Sequence, residues 1–302
     1  MVARNTLIFV ILLFFAGCKN NISTNAPRIL NARFLNQKFT IQEPINVDAT
    51  VSSREPATIS YRWFVNNTPI ANLNGNSLST TYFHKNDKIV CEVSAKDTLG
   101  RESKTYKLGP VKVANSPPKI TWADITPTDS IYKGVNLSVT AQTEDADGDE
   151  VKIRYNWYVD NKLVSKDSIL DGNLLVAGKN VKLTLIPFDG DTTGERFDIT
   201  RPVLVQNLPP NIIGTPAPVI KGKLVTCKVN AQDPDGDKIS YEIEEGPNGM
   251  TIDSLGNINW NIPEPVKDTT YKVTVKVTDT KGAGKRIEIP LRIKKTPIQV
   301  KK

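Results

Sequence analysis

Histidine occurs once in these 302 residues, as His84, beside Lys85-Asn86-Asp87 in a turn-like stretch where a lone imidazole faces solvent. No serine–glycine elbow, phosphate-binding loop or cysteine–histidine ligand spacing accompanies it. Acid pairs are abundant, but they fall on strand-connecting turns with no evident cleft, so the expectation is a protein that is not an enzyme. Basic residues interleaved with aromatics are missing too, which argues against a nucleic-acid partner. The apolar run Leu7 to Ala16 has ten residues, whereas a helix needs about 20 to cross a hydrocarbon core. What is present describes a soluble globular chain, with 24% charged and 39% hydrophobic residues. Its length exceeds one ordinary core and suits two or three domains.

Arg4 precedes the short apolar run, which ends in Phe15-Ala16-Gly17-Cys18. This is the h-region of a signal peptide over residues 1–17. Phe15 to Cys18 resembles the bacterial lipobox, which implies that Cys18 is lipidated and becomes the first residue of the mature chain. Acyl chains hold a soluble domain at a membrane by about 0.8 kcal/mol per buried methylene. Lys19 is not the aspartate that resembles an inner-membrane retention signal. The expected address is therefore the bacterial cell envelope, lipid-anchored at the outer membrane, on its periplasmic or surface face. Loss of residues 1–17 lowers the net charge from +7 to +6. The surplus is spread over the chain, with a mild cluster at Lys294, Lys295, Lys301 and Lys302.

Residues 18–26 read as a polar tether, rich in Asn, Ser and Thr. From Pro27 onward short alternating runs are separated by turn residues, the pattern of strands without a helical period. Pro117-Pro118 and Pro209-Pro210 follow apolar runs and stand 92 residues apart; proline pairs stiffen linkers and end sheet ladders. They bound modules at 27–115, 117–207 and 209–295, before a basic tail at 296–302. Ile59 to Asn67 aligns with Ile153 to Asn161, including Trp63 with Trp157. A strand ending in aspartate recurs at Asp97, Asp189 and Asp279. Three units of one length that share landmarks make a repeat array.

The Trp-Phe-Val-Asn and Trp-Tyr-Val-Asp strands, each followed by an alternating strand and an aspartate turn, resemble bacterial immunoglobulin-like or PKD-type domains. The third module is similar to cadherin-like and Putative Ig domains, through Asp233 to Asp237, Gly246 to Asp253 and Gly256 to Trp260. The resemblance implies an all-β chain of three tandem Ig-like sandwiches. Such sandwiches serve as spacers, adhesins and ligand binders. Cys91 and Cys227 lie on inward strand faces of different modules, so neither has a disulfide partner in its own domain, and each reads as a small buried hydrophobe. Trp63 and Trp157 read as core anchors.

One constellation suits a metal. Asp145-Ala-Asp147-Gly148-Asp149 and Asp233-Pro234-Asp235-Gly236-Asp237 each set three aspartates at alternate positions. Calcium takes six to eight hard oxygen ligands. An EF-hand is ruled out because glycine is fourth in these loops, not sixth. In an Ig-like sandwich each triplet would join strands B and C, beside the F–G turn and the incoming linker. Asp145, Asp147 and Asp149 would then approach Asp189 and Asp191, while Asp233, Asp235 and Asp237 would approach Asp279. The first module has Ser52-Ser53-Arg54-Glu55-Pro56 at this place and no module before it. The expectation is a calcium-stiffened joint at each interior boundary; the competing reading is an Asp-Gly turn kept soluble by its charge. The partner is expected to be an envelope protein or polysaccharide. A carbohydrate-binding accessory role would need exposed aromatics, for which Trp122, Trp260 and Tyr132 are the candidates.

Overall fold

The computed structural model describes residues 25–265 and 268–294. The signal peptide, Cys18, most of the tether and the tail beyond Lys294 lie outside the described residues. Among the described residues strands dominate, with two single-turn 3-10 helices at Thr80–Tyr82 and Gly172–Leu174. The chain divides into two compact units between Ser116 and Pro117.

The first unit is one sandwich. One sheet pairs Arg28–Phe34 with Ile45–Ser52 and that strand with Ser77–Leu78. The other runs Thr68–Pro69, Ala57–Val65, Lys88–Asp97, Tyr106–Lys112. This is the strand order of an Ig-like domain, A-B-E against C′-C-F-G. Alternation in Lys88–Asp97 turns Ile89, Cys91, Val93 and Ala95 inward, where all four are buried. Trp63 stands opposite Cys91 in the register, is fully buried, and donates its indole N–H to the Gly75 carbonyl at 2.9 Å. Burial pushes the Cys91 thiol up to about 12, so it stays a neutral apolar filler.

The second unit holds two cores. In the first of them Ser138–Glu144 pairs with Lys119–Thr126, facing a sheet ordered Lys162–Ser165, Lys152–Val159, Asn180–Phe188, Phe197–Asp198, with Val203–Leu204 also on Asn180–Phe188. Trp157 repeats the role of Trp63: it is fully buried, opposite Leu183, with its N–H on the Asp167 carbonyl at 2.9 Å. The repeated Asn-Asn and Asp-Asn that follow these strands have a backbone cause. Asn66, Asn67, Asp160 and Asn161 all have φ between 49° and 67°. Two positive-φ residues in succession make the turn that matches strand twist in a hairpin, and Asn and Asp tolerate that region best.

The other core, spanning Ile212 to Ile293, is built from three sheets. Asn211–Ile213 pairs with Asn230–Gln232; Val219–Lys221, Leu224–Lys228, Asn257–Asn261 and Thr251–Ile252 lie in that order; Ile239–Glu245, Thr269–Asp279 and Gly284–Ile293 form the facing sheet. Strand B is interrupted at Val229, whose N–H turns to the Gly256 carbonyl at 2.9 Å. Gly256 has φ +80°, and a Cβ there would collide with the Val229 carbonyl and press on the Tyr241 ring. The glycine is required by this close crossing. Trp260 is buried and donates to the Asn248 carbonyl at 2.9 Å. The Gly246–Asp253 and Gly256–Trp260 stretches are thus consumed by the fold of this core.

Candidate functional site

Both acidic triplets pass from one sheet of their sandwich to the other. Asp145–Asp149 follows Ser138–Glu144 and precedes Lys152–Val159; Asp233–Asp237 follows Asn230–Gln232 and precedes Ile239–Glu245. Their backbones are built alike. Asp145 Oδ1 accepts from the N–H groups of Asp147 (2.8 Å) and Asp149 (3.1 Å), and Asp233 Oδ1 accepts from those of Asp235 (2.9 Å) and Asp237 (3.1 Å). Gly148 and Gly236 close the turns at φ 82° and 85°.

Among the described residues the same turn occurs three more times without the triplet. Asp97 binds the N–H groups of Leu99 and Arg101, Asp253 those of Leu255 and Asn257, and Asp279 those of Lys281 and Ala283. In each, the third residue after the aspartate is a positive-φ glycine, namely Gly100, Gly256 and Gly282. The first aspartate of each triplet therefore has a structural task, replacing orphan backbone partners with its own carboxylate. The acids at the third and fifth positions are the surplus, and only the two B–C turns among these five carry them.

Within each triplet one carboxylate oxygen per residue lies within 4.8 Å of the others. Asp233 is buried, and its Oδ2 has no hydrogen-bond donor; Asp235 Oδ1 is also buried without one. Converging buried acceptors that lack donors each cost about 1–3 kcal/mol, and a hard divalent cation is the ligand class that satisfies carboxylates of this kind. The donor set fits calcium in type. The remaining expected ligands fall outside the two groups. Asp189 Oδ1 accepts from the N–H of Asp191 and of Thr192, and its Oδ2 from the Thr192 hydroxyl. Asp279 reaches the joint, because the register sets it opposite Ile239. Its Oδ2, however, accepts from Asn207 Nδ2 at 2.7 Å while Oδ1 holds its own turn.

The second triplet lies where turns and the linker of the preceding core meet it. Leu208 N–H donates to Asp235 Oδ2 at 2.8 Å, Lys133 Nζ approaches the Asp235 carbonyl at 3.4 Å, and Lys281 Nζ lies 3.0 Å from Asp237 Oδ2 and 3.3 Å from the Ala177 carbonyl. Two lysines and Asn207 at this joint are residues that the sequence pattern did not single out. No local signal marks them, since each owes its place to a partner about 70 to 100 positions away.

Two of these turns set an acid limit on stability. Burial opposes ionisation of Asp97, but the Arg101 and Leu99 N–H groups and the Arg101 guanidinium outweigh it and hold the carboxyl below its ordinary value. For Asp279 burial is likewise outweighed, by Asn207 and the Lys281, Ala283 and Gly282 N–H groups. A depressed folded-state value adds stability that is complete above the unfolded value of about 3.9 and is lost as pH falls through the folded one. The thermal midpoint should be flat from pH 7 to about 5 and fall below about 4. Asp97→Asn should lower the neutral-pH midpoint of the first unit and flatten its acid limb, as read by circular dichroism melts across that range.

The three wholly or nearly buried tryptophans and the sheet orders define a tandem Ig-like protein. Residues 209–293 match the family described as Putative Ig domain. Among curated proteins none matches the chain. Similar solved structures include three N-terminal domains of the bacteriophage RB49 outer capsid protein Hoc, at 13% identity and TM-score 0.24, covering 89% of this chain and 96% of that one. Fibronectin(III)-like modules of Clostridium thermocellum CbhA align at 18% and 0.25, over 58% and 94%. SGBP-B of the Bacteroides ovatus mixed-linkage glucan utilization locus, in complex with a mixed-linkage heptasaccharide, aligns at 13% and 0.22, over 88% and 70%.

Proposed function

We propose that this chain is a non-enzymatic, lipid-anchored protein of the bacterial cell envelope that serves as a spacer, adhesion or protein-binding element, with the acidic turns answering to calcium. The observation that supports it is where the repeated landmarks are spent. The indoles of Trp63, Trp157 and Trp260, the aspartate–glycine turns and the thiols of Cys91 and Cys227 are all consumed inside the sandwiches. What stays distinctive is the surplus acid at the two B–C turns, the second of which meets residues of the neighbouring core of its own unit. Lipidation at Cys18 rests on the lipobox resemblance.

Labelling of growing cells with a palmitate analogue should tag the wild-type chain and not Cys18→Ala, and the tagged chain should sediment with membranes. An untagged wild-type chain would overturn the anchor. Addition of calcium to the mature chain should raise the thermal midpoint of the unit that begins at Pro117. A midpoint unmoved at millimolar calcium would remove the metal from the proposal and leave the spacer.

One observation favours a second reading, a carbohydrate-binding accessory role. Trp122 is 47% exposed on strand Lys119–Thr126, whereas Trp260 is 3% exposed and Tyr132 is half-buried. One exposed indole is a stacking surface for a sugar ring. Retention of the chain on an insoluble envelope polysaccharide, lost in Trp122→Ala, would support that role.

A further inference from the structure

The two acidic turns are not equivalent, and one difference is the charge carried by the F–G turn beside each. In the F–G turn beside the first triplet, the residue two after the strand-ending aspartate is Asp191, whose N–H binds Asp189 Oδ1 at 2.8 Å. In the turn beside the second triplet the same place is taken by Lys281, whose N–H binds Asp279 Oδ1 at 2.8 Å. The two turns differ in length, since Asp189 Oδ1 next binds the Thr192 N–H and Asp279 Oδ1 the Ala283 N–H, and at the shared second place one carries a negative head and the other a positive one.

Lys281 uses that head at the joint. Its ammonium bridges Asp237 Oδ2 at 3.0 Å and the Ala177 carbonyl at 3.3 Å, so it joins the acidic turn of one core to the main chain of the other. Asn207 Nδ2 on Asp279 and Leu208 N–H on Asp235 close the same joint from the linker side. Beside this arrangement lie the Asp233 Oδ2 and Asp235 Oδ1 atoms, buried and without donors. An ammonium 3.0 Å from Asp237 Oδ2, an ion pair without hydrogen-bond alignment, repels a divalent cation on the same carboxylates.

We propose that Lys281 is a built-in cation of the second acidic turn: it clasps the joint between the two cores without metal and acts as the competitor that a divalent cation must displace from Asp237. The cation competition rests on the calcium reading above; the clasp does not. A divalent ion at this turn gains the donorless Asp233 and Asp235 oxygens and loses the Lys281–Asp237 pair, so its net gain is smaller than those oxygens alone would give.

The test uses the mature full chain, with calcium as the probe, and compares wild type, Lys281→Met and Lys281→Gln. In chelator, both variants should lower the thermal midpoint of the unit from Pro117 onward by about 2–4 °C, the shift that about 1 kcal/mol makes in a unit of this size. The wild-type midpoint should also fall as salt rises from 0.02 to 0.5 M, by the screening of an ion pair, while the variants respond less. Calorimetric titration should show calcium binding at the second turn at least about tenfold tighter in Lys281→Met, which Asp235→Asn in the same background abolishes. Variant midpoints equal to wild type in chelator would overturn the clasp. A clasp signal with no calcium heat in any variant would overturn the competition and the calcium reading together, and leave the clasp standing. Calcium binding of unchanged strength in Lys281→Met would overturn the competition alone.

Discussion

Trp157→Ala is expected to lower the thermal midpoint of the unit that begins at Pro117 by about 10 °C, from a cost of about 3–5 kcal/mol for truncating a buried tryptophan. The indole is fully buried in a cluster with Ile125, Leu137, Leu170, Leu183 and Leu185. Its removal leaves a cavity that those branched side chains, fixed on two facing sheets, cannot collapse to fill. It also strips the Asp167 carbonyl of its donor at 2.9 Å. Trp122→Ala, by contrast, should move the midpoint by less than about 0.5 kcal/mol in stability, as surface positions do. The pair separates two meanings of tryptophan in one sandwich: differential scanning calorimetry reads the first, and polysaccharide retention reads the second. A Trp157→Ala chain that melts like wild type would mean that this core is held by something other than its tryptophan and its facing leucines.

Much of the fold was legible because it rests on local periodicity. Ile89 to Ala95 alternates, Val65-Asn66-Asn67 and Val159-Asp160-Asn161 carry the residues a positive-φ hairpin needs, and the spacing of Trp63 and Trp157 measures the repeat. The interruption of strand B at Val229 was not legible. The run Val225, Cys227, Val229, Ala231 alternates without a break, and the interruption comes from Gly256, which crosses it from another strand. The site divided in the same way. Each triplet could be read as a group of acids, since its members are neighbours in sequence. That Asp279 would also hold Asn207 depends on a linker residue 72 positions away. Likewise, nothing local distinguishes Lys281 from any solvated lysine, yet its ammonium stands on Asp237.

Within the second triplet, Asp233→Ala and Asp235→Asn should part company. Asp233 is buried, and its Oδ1 satisfies the N–H groups of both Asp235 and Asp237. Alanine leaves those donors without a partner where water has poor access, and it releases the loop that carries Asp235 Oδ2 to the Leu208 N–H. The expected cost in chelator is about 3–6 kcal/mol, that of two lost bonds to a charged group, and in calcium the loss of the Asp233 ligand oxygen adds to it. Asp253→Ala is the reference, because Asp253 makes the same two backbone bonds with no triplet around it. Asp235→Asn keeps an acceptor for Leu208 and relieves the charge of a buried oxygen that has no donor, so its midpoint in chelator should not fall below that of wild type. Its calcium-dependent gain should vanish. If Asp235→Asn instead loses as much as Asp233→Ala in chelator, the surplus acids belong to the turn and not to a cation. If Asp233→Ala melts normally in chelator, the shared five-turn architecture does not carry the load assigned to its first aspartate, and that residue, too, is there for a ligand.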